Sequence, residues 1–376
     1  MLLLCNHFPP AVDGVGDYTY RLGAELARQG HAVHVLCRKQ SSGIPLPASM
    51  TLHPVFDGWN AHSEDAVLAL VERIRPDWLG LQYVPQGFLP TGLPFFLPRL
   101  LERIRRLGLR ICITFHEVQV RQTGLRGYIT GALQHRIAHA MCRQADACVT
   151  SIEFYAGLLG GLHSDIRLIP VGSNIEVPVL RSPERARMRQ ELFPDTPYIV
   201  GTFGQRDHSA MLDAVQQINA SGMKTGLLIC GKAQAHNHQL PNVRYTGYRP
   251  AAEIGTYLQC SDLFLLPDYA GPNGEGGTCT KSGSLAAAFA AGLPVAGVRG
   301  DMTNSLLRHG ENIWLAPDGG TAAIERALRL LLSDDALRSR LQTGGRRLFE
   351  AHLSWQQIAV GYKAILQPHY RVEAFV

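Results

Sequence analysis

Long apolar runs are missing from these 376 residues. No stretch approaches the roughly 20 apolar residues that cross a bilayer as a helix. The opening run, residues 1–5, is too short for the core of a signal peptide. Paired cysteine spacing is missing too. Cys5, Cys37, Cys112, Cys142, Cys148, Cys230, Cys260 and Cys279 are scattered, mostly through apolar runs, with no C-x-x-C pair. Buried free thiols and a cytoplasmic location are therefore expected. Charge is sparse, at 18% of residues and a net +5 with His neutral. That balance does not point to nucleic acid. It suits an anionic substrate or loose attachment to the inner face of the cell membrane. The dinucleotide fingerprint is incomplete. Gly14-Val15-Gly16 lacks the third glycine at its proper offset, and the second strand closes on Cys37-Arg38-Lys39 without an acid. No cofactor and no resident metal are expected, and the chain has no Asp-x-Asp motif.

The most informative stretch is 271–294. A short apolar strand at 262–267 leads into a loop with Gly271, Gly274, Gly276 and Gly277. Thr280, Lys281, Ser282, Gly283 and Ser284 then crowd the start of an alanine-rich helix. Gly292 and Pro294 supply its stop signal. Strand, glycine loop and helix start read either as an anion site, because the free N–H groups and the helix dipole favour negative charge, or as an ordinary strand-to-helix connection of an α/β domain.

Strands and helices alternate along the rest of the chain. A first strand, a glycine-rich loop and a helix at 17–29 open it, and a strand follows at 30–37. Further strands are expected at 78–84, 109–115, 147–151 and 166–170, then at 198–203, 225–230, 243–245, 294–298 and 312–316. Helices lie between them, with a last one at 354–367. Such alternation implies mostly parallel sheets covered on both faces. The length favours two domains, joined near 171–178. The expected fold class is α/β, with two Rossmann-like doubly wound domains facing a cleft. Ligands of such sheets sit at the carboxyl ends of the strands.

With these elements in order, the chain resembles a GT-B glycosyltransferase of the retaining family-4 type. Phe8-Pro-Pro10, Gly14-Val-Gly-Asp-Tyr18, Gln82-Tyr-Val-Pro85 and Thr114-Phe-His-Glu117 match its N-terminal half. Tyr245-Thr-Gly-Tyr248, Ser261-Asp-Leu-Phe-Leu-Leu-Pro267, Ala290-Ala-Gly-Leu-Pro294, Gly310-Glu-Asn-Ile313 and Ser354-Trp355 match its C-terminal half. The resemblance implies an acceptor domain at 1–172, a donor domain at 179–352 and a C-terminal helix, 353–376, packing back on the first. It implies a UDP- or GDP-linked sugar donor and a glycan or lipid-linked glycan acceptor. His116, Asp17 and Glu275 would be catalytic. Gly14, Val15, Gly16, Arg206, Lys232, Tyr248, Gly276, Gly277 and 280–284 would bind donor. Tyr18, Gln82, Tyr83 and Glu117 would face the acceptor.

The sequence also departs from that family. Its Glu-x7-Glu pair falls here on Cys279 and Ala287, so the contact implied from the second Glu to the nucleotide ribose is absent. A basic residue with Gly-Ser, as in a branch of the family, stands near the missing pair. Loss of both acids keeps a second expectation open, a degenerate protein that binds a nucleotide sugar or glycan without turnover. A sugar-nucleotide epimerase of the same fold is a third. Basic residues at 99, 103, 105, 106, 110, 121, 126, 136 and 143, interleaved with Leu125, Tyr128 and Ile129, read either as a surface for anionic lipid or as two ordinary solvated helix faces.

Overall fold

The computed structural model describes residues 1–39, 43–119, 124–163, 165–204, 206–231 and 240–367. It divides into two compact units, Met1–Pro170 with the chain from Trp355, and Val171–Ser354. Each is built on a parallel sheet covered by helices.

The first unit runs β1 (Leu2–Leu4), α1 (Gly14–Arg28), β2 (Val33–Arg38), β3 (Met50–Phe56), α2 (Ala61–Ile74), β4 (Trp78–Tyr83), α3 (Pro85–Phe88), α4 (Phe96–Arg106), β5 (Arg110–Phe115), α5 (Gly124–Cys142), β6 (Ala147–Thr150), α6 (Glu153–Leu159) and β7 (Ile166–Leu168). Its strand order is β3-β2-β1-β4-β5-β6-β7, parallel throughout. The order reverses between β1 and β4, the switch point where doubly wound sheets take ligands. Strands β1 and β4 are buried along their whole length. That is the fate of central parallel strands with helices on both faces, and it explains their unbroken apolar runs.

Two elements here were not expected. The edge strand β3 carries Pro54 and polar residues, and an edge is where a sheet tolerates proline. Helix α3 is a single turn inside a stretch that reads as loop, opened by Pro85 at its first position. Helix α1 also starts three residues earlier than the expected 17–29. Asp13 caps it by accepting from Gly16 N–H at 2.6 Å, so Gly14, Val15 and Gly16 form its first turn rather than a loop. A Cβ on Gly16 would meet His7 O at 2.8 Å, so glycine lets the helix start close against the chain leaving β1.

The second unit runs α7 (Ser182–Leu192), β8 (Tyr198–Phe203), α8 (Ser209–Ala220), β9 (Thr225–Cys230), β10 (Val243–Tyr245), α9 (Ala251–Gln259), β11 (Leu263–Leu265), α10 (Gly283–Ala290), β12 (Val295–Val298), β13 (Trp314–Ala316), α11 (Thr321–Ser333) and α12 (Asp335–Leu348). Its order is β10-β9-β8-β11-β12-β13, again parallel, with the switch point between β8 and β11. A π-helical turn, Phe349–Leu353, ends it. The C-terminal helix, Trp355–Leu366, belongs to the first unit. Tyr362 meets Tyr18 of α1, and Trp78 Nε1 donates to Leu366 O at 3.2 Å. All eight cysteines are free and buried. Among the described residues, no helix is long and apolar enough to cross a membrane.

Candidate functional site

In the second unit the site lies at the switch point. Arg206, after β8, and Asp268, after β11, form an ion pair across it, with Nε donating to Oδ1 at 2.8 Å. Thr278 Oγ1 holds the other Asp268 oxygen at 2.7 Å. The remaining guanidinium nitrogens reach Phe203 O at 2.9 Å, Ser282 Oγ at 3.1 Å and Ser284 Oγ at 3.3 Å. Arg206 is thus pinned in front of the start of α10, its charge shared with Asp268.

Ser282 is the N-cap of α10, accepting from Leu285 N–H at 3.2 Å. Because it also accepts from Arg206, both its lone pairs are used and its hydrogen is left to donate elsewhere. Gly283 and Ser284 follow in the first turn, where a helix has no carbonyl of its own for the N–H groups. Lys281 precedes them, half-exposed. The N–H groups just upstream are engaged: Thr280 N–H donates to Asn304 Oδ1 at 3.1 Å, and the Thr280 side chain is buried. The anion-facing set therefore narrows from 280–284 to Lys281, Ser282, Gly283 and Ser284.

The glycine loop upstream is shaped by backbone contacts. Gly276 and Gly277 have φ of 87° and 90°, in the left-handed region. A Cβ on Gly277 would lie 2.4 Å from Gly300 N, and one on Gly276 2.5 Å from Tyr269 O. Glu275 turns into this loop, accepting from Asn273 N–H and Nδ2, each at 3.1 Å. Tyr248 is exposed after β10. Lys232 lies outside the described residues. Cys279 and Ala287, at the two family Glu positions, are both buried, and burial pushes the Cys279 thiol up. His208, the residue before α8, is buried with neither ring nitrogen hydrogen-bonded. Burial, then the nearby Arg206 charge, holds its imidazole below the ordinary range, partly offset by Asp207.

In the first unit, His116 follows β5. Its backbone N–H donates to Tyr83 O at 2.9 Å, and its Nε2 lies 2.9 Å from Gln82 Oε1. The Tyr18 ring meets the imidazole edge-on, with centroids 4.7 Å apart. Glu117 beside it is half-buried. Asp17 sits in the first turn of α1. Burial and then the Asp13 charge raise its carboxyl above the usual range, against a lowering by Arg21. Two acceptor-side expectations change. Gln82 and Tyr83 are buried, and Tyr83 packs edge-on against Phe115. A central strand covered on both faces buries residues of either parity, which the motif Gln82-Tyr-Val-Pro85 does not reveal. Asp268 and Tyr362 belong to none of the motifs quoted from the sequence, and Thr114 appears there only as part of Thr114-Phe-His-Glu117. A lone acid after a strand was the one available signal, for Asp268.

The exposed basic residues of α4 have acidic neighbours. Arg99 and Arg103 approach Glu64 at 3.7 Å, Arg103 also pairs with Asp65 at 3.1 Å, and Arg106 pairs with Glu102 at 2.5 Å. On α5, Leu125, Tyr128 and Ile129 are exposed at 77%, 76% and 54% beside exposed Arg126. Arg121 lies outside the described residues.

Comparison with known proteins places this geometry. A family model described as Glycosyltransferase Family 4 matches residues 12–177, and one described as Glycosyl transferases group 1 matches residues 196–334. The amylovoran biosynthesis glycosyltransferase AmsK of Erwinia amylovora is 30% identical over 125 residues, 31% of this chain and 29% of that protein. The chain spans between 29% and 57% of the length of the curated relatives it matches. Among solved structures, sucrose-phosphate synthase from Thermosynechococcus elongatus is similar with a TM-score of 0.72 at 18% identity, over 98% of each chain. HepE of Anabaena in complex with UDP gives 0.70 at 13%, over 98% of this chain and 99% of its own. Two parallel α/β units and two family models, one on each, make this chain a member of the GT-B glycosyltransferases of the family 4 type.

Proposed function

We propose that this chain transfers a sugar from a nucleoside diphosphate donor to a hydroxyl of a glycan or lipid-linked glycan, with retention and without a metal, in polysaccharide or glycolipid assembly. The observation that carries this is the start of α10, where the Ser282 cap hydroxyl meets the Arg206 guanidinium beside the first-turn N–H groups, with Lys281 one residue before the cap. A departing diphosphate gains negative charge as the sugar leaves. A helix start with two cations stabilises that charge where it grows. On the same face, the acceptor oxygen bonds to the anomeric carbon as the bond to the phosphate oxygen breaks, and the acceptor proton passes to the donor phosphate. No side-chain base is then needed, in keeping with a Glu275 occupied by its own loop. His116 orients the transferred sugar. UDP is the first nucleotide to test, because HepE has been solved with UDP and with UDP-glucose. A glycan acceptor is supported by AmsK, named for amylovoran biosynthesis. Exposed Leu125, Tyr128 and Ile129 beside Arg126 suit an acceptor held at an anionic membrane face.

A second function has its own observation. Cys279 and Ala287 are buried where the family carries its acid pair, which favours a protein that binds nucleotide sugar without turnover. Incubation with a panel of UDP- and GDP-sugars, with and without chelator, separates the two. Release of nucleoside diphosphate, unchanged by chelator, supports the transferase. Tight binding with no release, with or without added acceptor glycans, supports the binding protein.

A further inference from the structure

His116 stands at one end of a buried circuit. Its Nε2 lies 2.9 Å from Gln82 Oε1, and Gln82 Nε2 donates to Thr114 Oγ1 at 3.4 Å. Thr114 Oγ1 lies 2.6 Å from the Tyr362 hydroxyl, which lies 3.2 Å from that of Tyr18. The Tyr18 ring then returns edge-on to the imidazole. All five side chains are buried. The amide sets the first two links, His116 to Gln82 and Gln82 to Thr114, while the hydroxyl links from Thr114 through Tyr362 to Tyr18 can run in either direction. The amide nitrogen is spent on Thr114, and the amide oxygen only accepts, so the imidazole donates from Nε2. In the neutral ring the lone pair then sits on Nδ1.

We propose that Gln82 and Tyr362 are positioning residues for His116: they fix its neutral imidazole as the Nε2–H tautomer, with the lone pair on Nδ1, and so tie its orientation to the C-terminal helix. This rests on the proposal that His116 meets the transferred sugar. Packing alone does not require the circuit, because Phe at 362 or Leu at 82 fills nearly the same volume. What either change removes is a link of the buried hydrogen-bond chain, worth more buried than in water.

The test uses the full chain and two variants, Tyr362→Phe and Gln82→Leu. Proton–nitrogen correlation spectra of the imidazole rings, with His116 assigned by its loss in His116→Gln, read the tautomer directly. A single Nε2–H tautomer in the wild type, replaced by a mixture in Gln82→Leu, is expected. Turnover should fall by about 10-fold in both variants, the scale seen for outer partners that orient a histidine. UDP affinity should stay within about twofold, since the contact serves the sugar. A wild-type ring that is already a mixture overturns the proposal. So does a Gln82→Leu ring unchanged from wild type, or turnover lost only in step with melting temperature. If the wild type turns over no sugar nucleotide, the proposed function fails by itself, and the ring spectra still decide the tautomer.

Discussion

The two units shape their candidate residues by different means. In the second, the backbone does most of the shaping: Gly276 and Gly277 at positive φ, a capped helix start, and one arginine pinned by one aspartate. In the first, side chains do it. Gln82 and Tyr18 touch His116, and Thr114 and Tyr362 back them in turn, drawn from two strands, a helix and the C-terminal helix, with partners up to 344 positions apart. A site made of backbone N–H groups suits a ligand of fixed charge, because every residue supplies the donor. A site made of side chains recognises a shape and tolerates little substitution. The second unit should therefore govern nucleotide affinity, and the first should govern turnover.

The largest expected effect breaks the first half. His116→Ala should lower turnover by about 100-fold, the scale for one lost transition-state contact, with UDP affinity nearly unchanged. Equal loss of both, with a lowered melting temperature, would make His116 structural. Next comes the Arg206–Asp268 pair, both partners mostly buried. Arg206→Ala leaves the carboxylate unpaired beside the phosphate site and should cost about 2–3 kcal/mol of stability, less than a fully buried pair. It should also weaken UDP binding. Adding Asp268→Asn should restore part of both, and a double-mutant cycle without coupling would refute the pairing.

A smaller effect sits at His208. Burial lowers its proton affinity in the folded state, so the unfolded chain binds the extra proton. Its contribution is full above the unfolded value near 6.5 and is lost as pH falls through the lower folded value. His208→Leu should gain about 1 kcal/mol at neutral pH by removing an unpaired buried group. It should also lose less stability between pH 7.5 and 5 in urea titrations; an unchanged slope would show that other groups set the acid limit. The smallest effect is at the surface. Leu125→Ser with Tyr128→Ser should reduce sedimentation with anionic vesicles at low salt, each basic residue there contributing about 1 kcal/mol. Wild-type protein left wholly in the supernatant would favour a soluble acceptor.

The contrast also explains what the sequence revealed. The strand at 198–203, the start of α10 and its stop at Gly292 were legible because glycine, caps and apolar runs are local signals. The family followed from the order of weak motifs. Gln82 and Tyr83 were placed at the right strand end, but their burial depends on helices that pattern alone does not seat. Nothing near Tyr362 announces a partner at Thr114, because the pairing exists only once the C-terminal helix has docked on the first unit. Arg206 was recognised as a cation, but its neutraliser lies 62 residues away. The acidic neighbours of the basic residues on α4 were hidden for the same reason, since Glu64 and Asp65 come from another helix.

The division of labour is tested most directly by calorimetric titration of UDP into the wild type, Lys281→Ala and His116→Ala. Lys281→Ala should weaken binding by about 1–3 kcal/mol, the range for a charge-assisted hydrogen bond, while His116→Ala binds as the wild type does. Unchanged affinity in Lys281→Ala, or an equal loss in His116→Ala, would contradict it.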